Sequence, residues 1–358
     1  MTIRRLIVTM VALFALAAVP PASVTAGVAA ASPAADPEPT PTVLSAAASH
    51  RQFTFGNIAA IEIHGSISVP GASLALSSRP ANDARWAPVA TTQASESGAF
   101  SFANVQAPST TTEYAVSFTG NETQAAASTS ITVSVRPRVV LKAANKTSWL
   151  KPKETVQLTG SVKPAHPGAT IAVDRRLKNG SWIQVGSATL DSASRFTVGW
   201  RPDKYGALRL RARMNADSDH TLGVSATENC VVNLANAHMV PYKYAHFLVN
   251  VVHEYKLYYY EHGKLVRTFI VALGRPGYPT PLGKFTIYHK RRPGGGALGS
   301  CVMFYRRAGG IAIHGTNEPE LLSRFPRNFS HGCTRMYNSQ ALWLYYRCPV
   351  GTPVKNYR

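Results

Sequence analysis

The sequence predicts a mainly β protein, with two sandwich modules followed by a β-rich C-terminal domain that carries one short helix. Short runs of alternating apolar and polar residues, broken by Gly, Pro, Ser or Asn, recur through residues 51–235. This period of two is typical of half-buried strands. Further strand-like runs follow residue 245, whereas residues 339–346 have a helical pattern. These observations together favour a mainly β fold.

Residues 1–26 predict a secretory signal peptide. Two arginines precede an uncharged run of 14 residues, and small residues then provide a cleavage site. An apolar run of that length is short for a bilayer span but suits a signal peptide. Residues 27–49 are rich in Ala and Pro, which predicts a flexible linker.

The region between the linker and residue 236 is internally repeated, with an offset of about 95 residues, the usual length of one immunoglobulin-like sandwich. The landmarks are Gly65, Trp86 and Phe100 in the first copy and Gly160, Trp182 and Phe196 in the second. We therefore predict immunoglobulin-like β modules at residues 50–136 and 137–236. The two tryptophans could be carbohydrate platforms, but core or cross-strand positions are favoured.

Composition and charge narrow the function. Apolar residues make up 45% of the chain, which argues against a disordered protein and a polytopic membrane protein. The net charge is +20, and residues 241–358 alone contain 17 Lys+Arg and 4 Asp+Glu. Such an excess indicates an anionic partner. Because an exported protein is separated from nucleic acid, we expect its anionic partners to be cell-wall polymers. Contact with the membrane is expected only through the signal peptide, before it is cleaved.

The C-terminal domain carries residues suited to nucleophilic catalysis. A strand-like run ends at His314, and Cys333 follows in a turn-like segment. A thiol of pKa about 8.5 needs a nearby base at neutral pH, and His314 or His331 could provide it. Gly332 allows a sharp turn that exposes N–H groups to an oxyanion. A zinc site formed by His314, His331 and Cys333 is disfavoured, because a fourth ligand and the short spacings typical of zinc ligands are missing. No metal site is therefore predicted.

Three consecutive glycines, residues 294–296, lie upstream of His314. The run lacks the Gly-Lys-Ser/Thr ending of a phosphate-binding loop, so nucleotide binding is not expected. We predict instead a mobile flap over residues 289–310.

The combined motif resembles the catalytic signature of the L,D-transpeptidase family of the YkuD type. The matching residues are His314-Gly315, then 14 intervening residues, then Ser330-His331-Gly332-Cys333, with Arg335 two positions later. Upstream Pro279-Thr280-Pro281 and downstream Gly351-Thr352-Pro353-Val354 also agree. The resemblance covers residues 245–358, and Thr334 departs from the aliphatic residue that is more common in the family.

This resemblance implies a catalytic domain at residues 245–358 with a short helix after the cysteine. Cys333 would be the nucleophile, His314 its base, and the carbonyl of Gly315 would orient the imidazole. The oxyanion and substrate-binding positions would be His331, Gly332, Gly315, Ser330 and Arg335. No metal or organic cofactor would be needed. The implied substrate is the peptidoglycan tetrapeptide stem, and the product a 3→3 cross-link made at the cell wall or outer face of the cytoplasmic membrane.

Two alternatives remain open. An L,D-carboxypeptidase would form the same acyl-enzyme and pass it to water, and a non-catalytic wall-binding protein would work through its β modules. The other cysteines are Cys230, Cys301 and Cys348. A Cys301–Cys348 disulfide is the pairing we favour, and buried free thiols are the alternative.

Overall fold

The computed structural model describes residues 38–293 and 295–358. The predicted signal peptide, residues 1–26, and the first part of the linker lie outside these residues. The described chain is mainly β with one α-helix, which confirms the predicted fold class. None of its helices is long and apolar enough to cross a membrane.

The first module contains eight strands in two sheets around one core. The three-stranded sheet has the order β1-β3-β6, and the five-stranded sheet has the order β2-β8-β7-β4-β5. Ile63, Leu74 and Val116 are fully buried between them. The strands are β1 Leu44–Ala48, β2 Gln52–Thr54, β3 Ala60–Ile67, β4 Ser73–Pro80, β5 Ala87–Gln93, β6 Ala99–Gln106, β7 Thr112–Phe118 and β8 Ala127–Arg136.

The predicted linker over residues 27–49 is too long at its C-terminal end. Strand β1 begins at Leu44 and pairs antiparallel with β3. Its alternate residues Leu44, Ala46 and Ala48 pack against the core of the first module. This period-2 burial was hidden in the sequence by the small size of alanine.

The second module repeats the strand order of the first. Its sheets run β9-β11-β14 and β10-β17-β15-β12-β13, with β16 paired to β15. Strands β1 to β7 thus have their counterparts eight strands later, and β8 corresponds to β17 because β16 is an addition. The strands are β9 Arg138–Ala143, β10 Thr147–Leu150, β11 Val156–Lys163, β12 Thr170–Arg176, β13 Trp182–Thr189, β14 Arg195–Trp200, β15 Gly206–Met214, β16 Gly223–Val224 and β17 Glu228–Leu234.

The repeated glycine and phenylalanine form a cross-strand pair in each module. Gly65 lies opposite Phe100 and Gly160 opposite Phe196. A Cβ atom on these glycines would lie 2.7 Å and 2.3 Å from the Cζ atoms of the two rings. The ring therefore covers the glycine, and no larger residue fits beneath it.

The repeated tryptophans are not core residues. Trp86 is 40% exposed and Trp182 is half-buried. The guanidinium of Arg79 lies 4.8 Å from the ring centre of Trp86, and that of Arg211 lies 4.4 Å from Trp182. Each tryptophan thus stacks with an arginine of its own sheet through a cation–π contact.

The C-terminal domain packs two larger sheets and one helix around a third core. The five-stranded sheet has the order β20-β19-β18-β28-β22, the four-stranded sheet β23-β24-β25-β27, and β21 pairs with β26. Tyr259, Met303 and Leu344 are buried between the layers. The elements are β18 Phe247–Val251, β19 Lys256–Glu261, β20 Lys264–Ile270, β21 Leu273–Gly274, β22 Gly283–Thr286, β23 His289–Arg291, β24 Val302–Arg306, β25 Ile311–His314, β26 Asn328–Ser330, β27 Thr334–Arg335, α1 Asn338–Arg347 and β28 Pro353–Tyr357.

Two expectations for this domain need correction. The predicted flap, residues 289–310, is too long, because β23 and β24 lie within it, pair with each other and hold β25 in their sheet. The favoured Cys301–Cys348 disulfide is absent, because both residues are buried free thiols. The Lys290 amino group approaches this region and donates hydrogen bonds to the carbonyls of Tyr345 and Cys348 at the end of α1.

Candidate active site

Cys333 lies in a tight turn between β26 and β27. Gly332 has φ +104°, a conformation that side chains with a Cβ rarely adopt, and its Cβ would meet the Ile311 side chain at 2.9 Å. The buried Ser330 hydroxyl holds the turn together. It accepts a hydrogen bond from the Gly332 N–H at 3.2 Å and donates one to the Cys333 carbonyl at 2.7 Å. The sequence Ser-His-Gly-Cys thus builds a turn that fixes the cysteine backbone.

His314 ends β25 and is only 2% exposed. Its Nδ1 lies 2.5 Å from the carbonyl oxygen of Gly315. Because a carbonyl can only accept, Nδ1 carries the proton and Nε2 presents a lone pair. A Cβ on Gly315 would lie 2.0 Å from Asn338 Oδ1, so only glycine fits at the position that supplies this carbonyl.

The strand register places Cys333 beside the strand that ends in His314. Strands β25 and β27 are parallel, with Ile313 opposite Thr334 and His314 opposite Arg335. Continuing this register by one residue sets Cys333 beside Ala312, so Cys333 and His314 share one face of the sheet. The sulfur lies 4.0 Å from the Gly310 carbonyl oxygen. Although they share a face, no hydrogen bond joins the thiol and the imidazole in this structure.

Burial keeps both groups neutral. Desolvation lowers the pKa of His314 to about 4; the Gly315 carbonyl opposes this shift, and the charge of Arg335 adds to it. Desolvation also raises the pKa of Cys333, partly offset by the Ala312 backbone N–H and by Arg335. At neutral pH the site therefore holds a protonated thiol and an unprotonated imidazole, which is a base ready to accept a proton.

Arg335 supplies the positive charge of the site. Its guanidinium pairs with Glu318 at 2.9 Å, and its side chain is only 16% exposed. Its Nε atom is buried without a hydrogen-bond partner in the part of the chain that the structure describes. Because this charge is largely removed from solvent, it acts on both neighbouring titratable groups, His314 and Cys333.

His331 is part of this turn, but its side chain is exposed at the surface. Arg275 donates a hydrogen bond to its Nε2 at 2.6 Å, and Tyr278 packs edge-on to its ring at 4.8 Å. Since a guanidinium only donates, Nε2 is already committed as an acceptor. Of the two histidines considered from the sequence, His314 is thus the better placed to receive the thiol proton.

The Gly332 N–H does not face an oxyanion as expected from the sequence. It is already bonded to Ser330, so Gly332 contributes through its backbone conformation. The amide N–H of Cys333 makes no hydrogen bond to any group in residues 38–293 or 295–358. It is consequently the best-placed oxyanion donor of the turn.

Sequence reasoning missed several residues that shape the site, namely Arg275, Tyr278, Glu318, Asn338 and Asn250. Asn250 is buried in β18 and donates to the Thr334 hydroxyl at 3.0 Å. That bond ties the five-stranded sheet to the strand following Cys333. Thr334, the departure from the family pattern, is therefore the partner of a buried amide, a signal that no single-sequence pattern carries.

The domain that contains this site is similar to known proteins. Residues 245–355 match the family model of the L,D-transpeptidase catalytic domain, YkuD. The Bacillus licheniformis protein named as an L,D-transpeptidase YkuD is 33% identical over 132 residues, 37% of this chain and 75% of its own length. The Bacillus subtilis protein of that name is 28% identical over 144 residues, 40% of this chain and 83% of its own. An L,D-transpeptidase structure from Mycobacterium smegmatis is 16% identical, with 61% of this chain and all of that chain covered and a TM-score of 0.29.

Proposed function

Because this chain belongs to the YkuD-type L,D-transpeptidase family, we propose that it is a cysteine acyltransferase that forms 3→3 cross-links between peptidoglycan stem peptides. Cys333 is the nucleophile and His314 the base. One observation carries the assignment: the sheet register sets both side chains on one face, and the Gly315 carbonyl fixes the imidazole with its Nε2 lone pair free.

Acylation begins from the neutral pair. As the Cys333 sulfur attacks the carbonyl carbon of the L-centre of the third stem residue, the thiol proton passes to His314 Nε2. The Cys333 N–H stabilises the oxyanion, and Arg335 favours the developing negative charge on sulfur. The imidazolium then gives its proton to the amine of the departing terminal D-alanine. A thioester and a neutral imidazole remain.

The second half-reaction passes the acyl group to a neighbouring stem. Its side-chain amine attacks the thioester and loses a proton to His314, and the sulfur leaves and is reprotonated. The product is the cross-link, and the enzyme returns to its starting state. Water in place of the amine would make the enzyme an L,D-carboxypeptidase with the same acyl-enzyme.

The surface around the turn suits an anionic substrate. Arg275 stacks on Tyr278, with the guanidinium 5.0 Å from the ring centre, and Tyr278 is 52% exposed. Together with His331 they form a polar and aromatic edge beside Cys333. This edge is our candidate for binding a stem carboxylate, in keeping with the excess of Lys and Arg over residues 241–358.

The location we propose is the cell wall, or the outer face of the cytoplasmic membrane, after export. The basic run and cleavage site in residues 1–26 support export. The two β modules then extend the catalytic domain from the membrane toward anionic wall polymers. This attraction should weaken as salt rises.

Incubation with tetrapeptide-bearing muropeptides, followed by mass spectrometry, tests the reaction. We expect 3→3 linked dimers and released D-alanine, lost in Cys333→Ala and strongly slowed in His314→Gln. Cys230→Ala is a matched control, because Cys230 is a buried thiol of the second module. Tripeptide monomers alone would identify a carboxypeptidase. If no product forms and the protein still binds wall, the wall-binding alternative holds.

A further inference from the structure

A second cluster of histidine and carboxylate side chains lies at the junction of the two β modules. His166 Nε2 is 3.0 Å from His220 Nδ1 and 3.4 Å from Asp217 Oδ2, and His220 Nδ1 is 3.3 Å from Asp217 Oδ1. The side chains of His166 and His220 are only 9% and 4% exposed, whereas that of Asp217 is 35% exposed. The three donors therefore converge on a point that solvent reaches only from the side of the carboxylate.

The outer nitrogens of both imidazoles fix their protonation. His166 Nδ1 lies 2.7 Å from the Pro164 carbonyl oxygen, and His220 Nε2 lies 2.9 Å from that of Ser109. Carbonyls only accept, so both outer nitrogens carry protons. In two neutral rings the inner nitrogens then face each other with lone pairs at 3.0 Å. That contact is repulsive unless a cation lies between them.

The carboxylate completes an anionic pocket for such a cation. Asp217 Oδ1 accepts hydrogen bonds from the backbone N–H groups of Asp219 and His220 at 2.8 Å and 2.7 Å, which leaves Oδ2 as the freer oxygen.

We propose that His166, Asp217 and His220 bind a divalent transition metal of the zinc class. In a tetrahedral site with bonds of about 2.0–2.1 Å, neighbouring donor atoms lie about 3.3–3.4 Å apart. His166 Nε2 lies 3.0 Å from His220 Nδ1 and 3.4 Å from Asp217 Oδ2, which is close to two edges of such a tetrahedral face. Metal-bound histidines usually donate their other N–H to a carbonyl or carboxylate, as both do here. Water would take the fourth position.

The metal would stiffen a loop of the second module that contacts the first module. The loop that carries Asp217 and His220, residues 217–221, is hydrogen-bonded to the first module. The Thr111 N–H donates to the Asp219 carbonyl at 2.6 Å, and the Thr221 N–H donates to the Val135 carbonyl at 2.9 Å. Ser109, which fixes His220, also belongs to the first module. A metal that orders this loop would therefore stiffen the contact between the two modules.

Metal titration of the full chain carrying Cys333→Ala, which removes the accessible thiol ligand, tests the proposal. We expect one equivalent of Co2+ to bind with the visible absorption of a four- or five-coordinate site, and Zn2+ to displace it and raise the Tm. His166→Gln and Asp217→Asn should each weaken binding at least tenfold and abolish the Tm rise. His64→Gln, at an exposed histidine of β3, should change neither. Binding retained in both variants, or no stoichiometric binding, would overturn the proposal and leave a shared proton between the two rings.

Discussion

The buried imidazole of His314 makes the catalytic domain sensitive to acid. Its pKa is lowered to about 4 from an ordinary value of 6.5, so the folded state binds the proton more weakly than the unfolded state. The free energy of unfolding that depends on the neutral imidazole is fully present above pH 6.5 and is lost as the pH falls toward 4. This shift of the His314 pKa corresponds to about 3 kcal/mol of unfolding free energy in total. About 2.5 kcal/mol of it is lost between pH 7 and pH 4.5.

Replacing His314 with Gln removes this titration. We expect the variant to lose about 2.5 kcal/mol less unfolding free energy than the parent over the same pH interval. The buried thiols Cys301 and Cys348 provide the assay, because both lie in this domain and react only when it unfolds. Labelling them with a disulfide reagent active at acid pH, across a urea series, gives the free energy of unfolding at each pH.

The matched control is His253→Gln, since the side chain of His253 is 63% exposed and solvated in both states. This variant should keep the acid dependence of the parent. If His314→Gln shows the same acid dependence as the parent, then His314 is not held neutral by burial, and the assignment of a neutral thiol–imidazole pair fails with it.

Three further predictions concern neighbouring features. Thr334→Val leaves the Asn250 amide unpaired and should cost about 1–3 kcal/mol of unfolding free energy, measured by the same thiol labelling. Gly160→Ala places a Cβ 2.1 Å from a backbone oxygen and should destabilise the second module by about 1–3 kcal/mol, measured by urea unfolding followed by tryptophan fluorescence. Gly199→Ala is the control and should be tolerated, because no atom lies closer than 3.5 Å to its Cβ. Alkylation of Cys333 by iodoacetamide should keep accelerating above pH 8, because its pKa is raised; a rate that levels off between pH 5 and 8 would refute this.

The fold could be predicted from the sequence where the pattern is local. The repeated Gly and Phe marked the two modules because a ring covers a glycine in both, and His314 was correctly placed at a strand end. The first strand was missed because its inward positions include small alanines. Of the core and cross-strand positions expected for the tryptophans, the structure has the cross-strand one: Trp182 lies opposite Arg176, and each tryptophan stacks on an arginine, a pairing that hydrophobicity alone does not predict.

In the candidate site, too, the residues close together in the sequence could be predicted, whereas those brought together by strand pairing could not. Cys333, Gly332 and Ser330 lie within one turn, so their relation is readable from adjacency. The partners Arg275 and Glu318 reach the site only after β21, β26 and β27 have paired, and their sequence separation hides them. The His166–Asp217–His220 cluster is hidden for that same reason, since it forms only when two strand connections of the second module meet.

The most direct test of the account is covalent acylation of Cys333. A carbapenem incubated with the protein should give one adduct by intact mass, located by peptide mapping to the segment that contains Cys333. The adduct should be absent in Cys333→Ala, and its formation should slow at least a hundredfold in His314→Gln. An unmodified parent protein, or an adduct that survives in Cys333→Ala, would contradict the assignment of Cys333 as the nucleophile.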